Sequence, residues 1–209
     1  MILVACEESQ TVCKAFRELG HETYSCDIEP CSGGYPEWHF QCDVKSILND
    51  SNIIWDLVIA HPPCTYLCST GQAWNYKPSV NAKREPFVDE AINFFMYFFT
   101  CFNIKRLCVE NPVGIISTRF RKPDQYIEPC DFGHTARKKT GLWLINLPKL
   151  EATITVPPLL KTYIDKHGKI RTRSVWMDAS DNKKERAKFR SKTFDGIAEA
   201  MAEQWGKLL

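Results

Sequence analysis

The segment Trp55–Gly71, WDLVIAHPPCTYLCSTG, runs an apolar stretch of strand length straight into two prolines and a cysteine. An uninterrupted apolar run bounded by a breaker reads as a strand buried on both faces, the usual condition inside a parallel sheet. Consecutive prolines fix φ and withdraw ladder donors, so HPPC ends the strand and starts a rigid loop. The same grammar holds on either side. MILVAC is a buried strand, followed by SQTVCKAFRELG, where Ser9 is expected to cap a helix, Val12, Phe16 and Leu19 share a face, and Gly20 stops it. HETYSCDIE reads as a second strand, a long helix is predicted from about Lys83 to Asn103, KRLCVEN ends a strand at Glu110, and TGLWLINLP supplies another. Strands alternating with helices predict an α/β domain with a mainly parallel sheet.

In such sheets the ligand site lies at the carboxyl ends of the strands. Those ends are informative here: Cys6, Glu7 and Glu8, then Asp27 and Glu29, then Asp43, then Cys64, then Glu110. Carboxylates in these places suit the ribose hydroxyls and exocyclic amine of a nucleoside-like cofactor, although acids at strand ends also cap helices. Cys64 stands apart from the other cysteines because VENP puts a carboxylate at the end of a neighbouring strand.

At 209 residues, with 44% hydrophobic and 25% charged, the chain suits one globular domain with a small appendage. The formal charge of +2 hides an asymmetry: Lys161–Lys192 holds eleven Lys or Arg against four Asp or Glu. A local basic segment suits a polyanion, or else a solvated loop. Ten cysteines, after an opening MILVACEESQ with no basic n-region, are expected to be free thiols in a reducing cytoplasm, that of a bacterium or a phage-infected host. AINFFMYFFTCF, Ala91–Phe102, is too short to span a bilayer and is expected to be a buried helix, so no membrane partner is expected. Cys26, Cys31, His39 and Cys42 lack the tight C-x2-C knuckle of a zinc site, and no metal is expected.

These residues resemble the DNA cytosine 5-methyltransferases that use S-adenosylmethionine. The family's loop P-C-Q-x-F-S-x-x-G, preceded by a strand starting with Asp, is matched by Asp56, Pro63, Cys64 and Gly71, with Thr65 in place of Gln, Leu67 of Phe and Cys68 of Ser. Its E-N-V signature appears as Glu110–Pro112, its acid after the second strand as Asp27, and its G-D-[IV] element as Asp43 in QCDV. The likeness is strongest over about residues 2–112 and weaker in ARKKTGLWLINLP and TFDGIAEAMAEQW. The family's glycine-containing first loop is replaced by ACEESQ, and its large target-recognition domain by about 40 residues.

The resemblance implies a Rossmann-like methyltransferase fold with helices on both faces of the sheet, in a compact, phage-type member concerned with DNA modification or restriction–modification. It implies a catalytic domain over 1–150, a basic target-recognition-like insert over 151–190, and a C-terminal helix over 191–209 that packs back on the catalytic domain. Cofactor contacts would come from Cys6, Glu7, Ser9, Asp27, Ile28, Asp43 and Pro62. Cys64 and Glu110 would be catalytic, with Arg137 and Lys139 standing for the family's Q-x-R-x-R element. Thr65, Gly71, Lys169, Arg171 and Arg173 would meet double-stranded DNA.

The implied chemistry needs a thiol and an acid together. Carbon 5 of cytosine takes a methyl group only after a nucleophile adds at carbon 6, and thiolate is the side chain best suited to that addition. Glu110 would hold N3 and the exocyclic amine as charge develops, and a duplex target would have to be flipped out. Three alternatives remain open on sequence. Thymidylate-synthase-like enzymes share a P-P-C loop, usually followed by His. Amino-methyltransferases carry [DNS]-P-P-[YFW], where this chain has His61 and Cys64. A degenerate methyltransferase fold could bind DNA or a protein without catalysis.

Overall fold

The computed structural model describes residues 1–69, 78–178, 182 and 189–209. Its centre is a seven-stranded sheet of β1 (Ile2–Ala5), β2 (Thr23–Asp27), β3 (His39–Gln41), β4 (Leu57–Ala60), β5 (Leu107–Pro112), β6 (Gln125–Ile127) and β7 (Thr140–Ile145). The spatial order is β3-β2-β1-β4-β5-β7-β6, parallel from β3 to β5, while β7 runs antiparallel to both β5 and β6. The TGLWLINLP strand therefore enters against the direction of its neighbours. β1 pairs with β2 on one side and β4 on the other, so the chain builds outward one way and then restarts on the opposite side. The crevice at such a reversal is where α/β sheets bind ligands.

The uninterrupted apolar strands are needed because both faces of the sheet are covered. On one face Ile2, Val4, Leu57 and Ile59 pack against α1 (Thr11–Glu18) and the C-terminal helix α5 (Asp195–Trp205), through Val12, Phe16, Met201 and Trp205. On the other, Leu3, Ala5, Val58 and Ala60 meet α2 (Val44–Leu48) and α3 (Pro78–Tyr97), through Val44, Leu48, Ile92 and Phe95. A short helix α4 (Ile116–Arg119) follows β5.

Two local readings change. Helix α3 stops at Tyr97, and the chain leaves through a 3-10 turn over Phe98–Thr100. It does not reach Asn103, whose buried amide donates to the carbonyls of Asp50 and Ile53 instead, a commitment to the loop before β4. At the start of α1, Ser9 does not cap. Gln10 occupies the cap position with φ 56° and no side-chain cap bond. Glu7 reaches forward instead and accepts from the N–H groups of Val12 (2.7 Å) and Cys13 (3.2 Å), where a carboxylate also opposes the helix dipole.

The basic segment contains an ordered antiparallel ribbon, β8 (Leu160–Ile164) paired with β9 (Ile170–Ser174), exposed over nearly all its length. No helix among the described residues is long and apolar enough to cross a membrane.

Candidate active-site crevice

Register fixes what meets at the carboxyl edge of the sheet. Ala5 lies level with Cys26 and with Ala60, and Ala60 with Val109. Cys6, Asp27, His61 and Glu110 are therefore the next residues on four adjacent strands. A cavity of about 780 Å³ opens over this edge, a size that holds a nucleoside-scale ligand. Its acidic end is lined by Cys6, Glu7, Glu8, Ser9, Asp27 and Glu29, its middle by His61, Pro63, Cys64, Thr65 and Cys68, and its basic end by Arg137, Lys138, Lys139, Trp176, Arg190 and Lys192.

The segment from His61 to Ser69 is tied to the segment from Glu110 to Ile115 through four residue pairs. His61 Nδ1 lies 3.2 Å from Glu110 Oε2. The buried Asn111 side-chain N–H₂ donates to the Pro62 carbonyl at 2.8 Å. Ile115 N–H donates to the Leu67 carbonyl at 2.9 Å, and Ser69 donates to the Val113 carbonyl through both its backbone N–H and its hydroxyl. Cys68 and Gly114 bridge between these bonds. A side chain on Gly114 would collide with the Leu67 carbonyl, so this close approach requires glycine. Two motifs about fifty positions apart thus form one rigid unit.

Within it, the Cys64 thiol is held well above its ordinary pKa by its hydrogen bond with Cys68, then by burial and the Cys68 and Glu110 charges, while Lys138 acts the other way. Glu110 behaves oppositely. Burial pushes its carboxyl up, but the His61 hydrogen bond, the Lys138 charge and the Thr140 hydroxyl outweigh it and hold Glu110 below the usual carboxylate range. The unit therefore presents a protonated thiol beside an ionised carboxylate.

At the acidic end the backbone takes positive φ at Cys6 (60°) and Gln10 (56°), so ACEESQ adopts without glycine the left-handed conformations glycine usually supplies. Burial pushes the Asp27 carboxyl up against the backbone N–H of Glu29, which donates to it at 3.0 Å. Burial also pushes Glu7 up, opposed by His61 and by the helix N–H groups it caps. The Cys6 thiol is raised by burial and by Asp27.

Three residues expected at the cofactor do not line the cavity. Ile28 is 71% exposed, Asp43 caps α2 by accepting from Lys45 N–H at 2.9 Å, and Pro62 is buried with its carbonyl on Asn111. Asp56, the strand-opening acid, sits at the far end of β4 paired with Lys105 at 2.7 Å.

At the basic end Arg137 lies 3.5 Å from Glu128, Lys138 Nζ donates to the Arg190 carbonyl at 3.1 Å, and Lys139 stands over the Tyr126 ring. Arg137 N–H also donates to Ser174 Oγ at the foot of the ribbon. Lys169, Arg171 and Arg173 lie on or beside that ribbon, away from the cavity lining, and Gly71 lies outside the described residues. The foursome Cys26, Cys31, His39 and Cys42 is not gathered around a common point. Cys26 meets Cys42, Cys31 donates to Gln10, and His39 bonds Ser25 and the Glu29 carbonyl. Among the described residues no group of three or more His, Cys, Asp or Glu is arranged to hold a metal ion.

Sequence reasoning placed His61 only in the amino-methyltransferase alternative, Asn111 only inside the Glu110–Pro112 signature, and Arg190 and Lys192 only in the basic segment Lys161–Lys192, with no role for any of them in shaping the crevice. HPPC and VENP are each conspicuous, but only folding reveals that the histidine of one and the glutamate of the other bond to each other at the ends of neighbouring strands. No protein-family model matches this chain, and no curated protein matches its sequence.

Proposed function

We propose that this chain methylates carbon 5 of cytosine in DNA, using S-adenosylmethionine. The observation that carries the reading is the cavity itself, which is lined by Glu7, Glu8, Asp27, Glu29, Cys64 and a cationic rim, with Glu110 bonded to its lining residue His61. The sheet's reversal between β1 and β4 supports a Rossmann-like methyltransferase fold over that crevice.

The donor set fits the cofactor. S-Adenosylmethionine has no phosphate and carries positive charge on its sulfonium and ammonium groups, so a carboxylate-rich end suits it better than an anion-binding glycine loop. Asp27, at the end of β2, would accept from ribose hydroxyls. The N–H groups at the start of α1 are already taken by Glu7, which leaves the acidic side chains and the backbone at Cys6 to make the contacts. Bound there, the cofactor supplies an electrophilic methyl group to carbon 5.

The remaining chemistry belongs to the chain. Cys64, once ionised, adds to carbon 6 and makes carbon 5 nucleophilic. Glu110 binds the N3 and amino edge of the ring and stabilises the adduct. Once carbon 5 carries the methyl group, a base takes its proton, the electron pair re-forms the double bond between carbons 5 and 6, and Cys64 leaves as a thiolate. Lys138 assists by favouring the thiolate. Because the ring must be attacked from its face, the target nucleotide leaves the duplex, and Arg137, Lys139 and Arg190 meet the phosphates around it.

Labelled S-adenosylmethionine, mixed-sequence DNA and nucleoside digestion test the reading. The expected product is 5-methylcytosine with the native chain and none with Cys64→Ser; equal product from both, or none from the native chain, rejects it. A second reading, a non-catalytic fold that binds DNA, is favoured by the raised Cys64 thiol and by Glu7 filling the start of α1. Calorimetry separates the two, since S-adenosylmethionine binding that weakens on Asp27→Ala belongs to the enzyme alone.

A further inference from the structure

His61 follows β4 directly, level with Glu110 on β5, and neither composition nor periodicity marks it. Its side chain is 9% exposed and that of Glu110 17%. An ionised carboxylate only accepts, so the imidazole nitrogen 3.2 Å away, Nδ1, carries the proton and donates it. The other nitrogen, Nε2, is buried with no hydrogen-bond partner among the described residues. A ring that leaves one nitrogen bare in the interior is held for what its opposite edge does. Here that edge grips a single carboxylate oxygen, and Lys138 and Thr140 favour the same ionised form. The backbone of His61 is fixed as well, its N–H donating to the Ala5 carbonyl at 2.9 Å, so the imidazole is aimed by the sheet.

Resting on the cytosine reading, we infer that His61 is a positioning residue for base specificity: its Nδ1–H fixes Glu110 as a hydrogen-bond acceptor, which matches the amino group at position 4 of cytosine and repels the carbonyl oxygen at that position in uracil or thymine. A carboxyl group without this donor can carry a proton and turn to donate, and it then tolerates the carbonyl. The inference assigns discrimination between pyrimidines to a residue that acts through Glu110.

The test uses the full chain, S-adenosylmethionine and random-sequence oligonucleotides containing either 5-fluorocytosine or 5-fluorouracil. Fluorine cannot leave carbon 5 as a proton does, so Cys64 stays bonded to carbon 6 and a denaturing gel reads the covalent fraction. The wild type is expected to favour the cytosine analogue. H61N, whose amide N–H₂ replaces Nδ1–H, is expected to keep that preference. H61L, with no donor, is expected to reduce it about tenfold or more, the share of one hydrogen bond to a charged group. An unchanged preference in H61L overturns the inference alone. If H61L does not fold, H61Q replaces it, because its amide lies at the Nε2 position; equal preferences in H61N and H61Q then overturn the inference. No adduct from the wild type with either base rejects the cytosine reading and this inference with it.

Discussion

Cys64 enters the site as a thiol, and the nucleophile is the thiolate. The residue that most restrains its ionisation is Cys68, one helical turn on, whose N–H also donates to the Cys64 carbonyl at 2.9 Å. Burial and the Glu110 charge add to the restraint, and the Lys138 charge opposes it. Position 68 is itself a cysteine, so a second sulfur lies one turn from the first. Removing it takes away the largest influence that raises the Cys64 pKa. Cys68→Ala is therefore expected to move the midpoint of Cys64 ionisation to lower pH. Iodoacetamide labelling at fixed alkaline pH, with each cysteine peptide quantified by mass spectrometry, reads that shift as faster labelling of Cys64 in the variant. Identical labelling profiles for Cys64 in the two proteins would remove Cys68 from the account.

At the scale of elements, the site exists because two loops approach closely enough to share backbone hydrogen bonds. The loop after β4 and the loop after β5 meet at Gly114, where any side chain would strike the Leu67 carbonyl. Gly114→Ala forces the loops apart and puts the bonds between Ile115 and Leu67 and between Ser69 and Val113 at risk. Overpacking of this kind costs about 1–3 kcal/mol, so scanning calorimetry is expected to show a melting temperature several degrees lower. Cys64 labelling should accelerate as burial is lost; an unchanged melting temperature would show that the loops yield at no cost. The long elements were legible because their signals are local: LVIA and LCV are apolar runs, and Val12 and Phe16 repeat at helical spacing. β3 and β6 were not, since each is three residues long and Ile127 alone among their residues is buried, with no pattern to distinguish either from loop. The cap on α1 escaped because Glu7 lies outside the usual capping position and satisfies N–H groups five and six residues ahead. Cys64 and Glu110 were readable as members of two separate motifs, whereas the bond between His61 and Glu110 spans 49 residues and depends on strand order.

For the whole molecule, charge is divided between parts that do different things. The cavity's acidic end suits a cationic cofactor, while the basic residues gather on its rim and on a ribbon that stands away from the sheet. That ribbon has two distinct faces. Lys161 pairs with Arg173 and Tyr163 with Arg171, and Arg173 lies over the Tyr163 ring; the opposite face alternates Thr162 with Thr172 and Ile164 with Ile170. An exposed two-stranded ribbon of this width fits a DNA groove, with its cationic face toward phosphate. Arg171 lies 3.1 Å from Asp165, an exposed ion pair that a phosphate can displace at small cost. The link from Arg137 to Ser174 joins the foot of the ribbon to the cavity rim, so both cationic surfaces lie along one continuous path. If the ribbon carries phosphate contacts, the double variant Arg171→Ala/Arg173→Ala loses two of them. The slope of log affinity against log salt on non-specific duplex DNA should then fall in magnitude by about 1.8, nearly one unit per contact. The weakening should be the same for every duplex sequence, because phosphates carry no sequence, and the melting temperature should stay unchanged because both side chains are exposed. An unchanged salt slope would take the ribbon out of the interface and leave the phosphates to Arg137, Lys139 and Arg190.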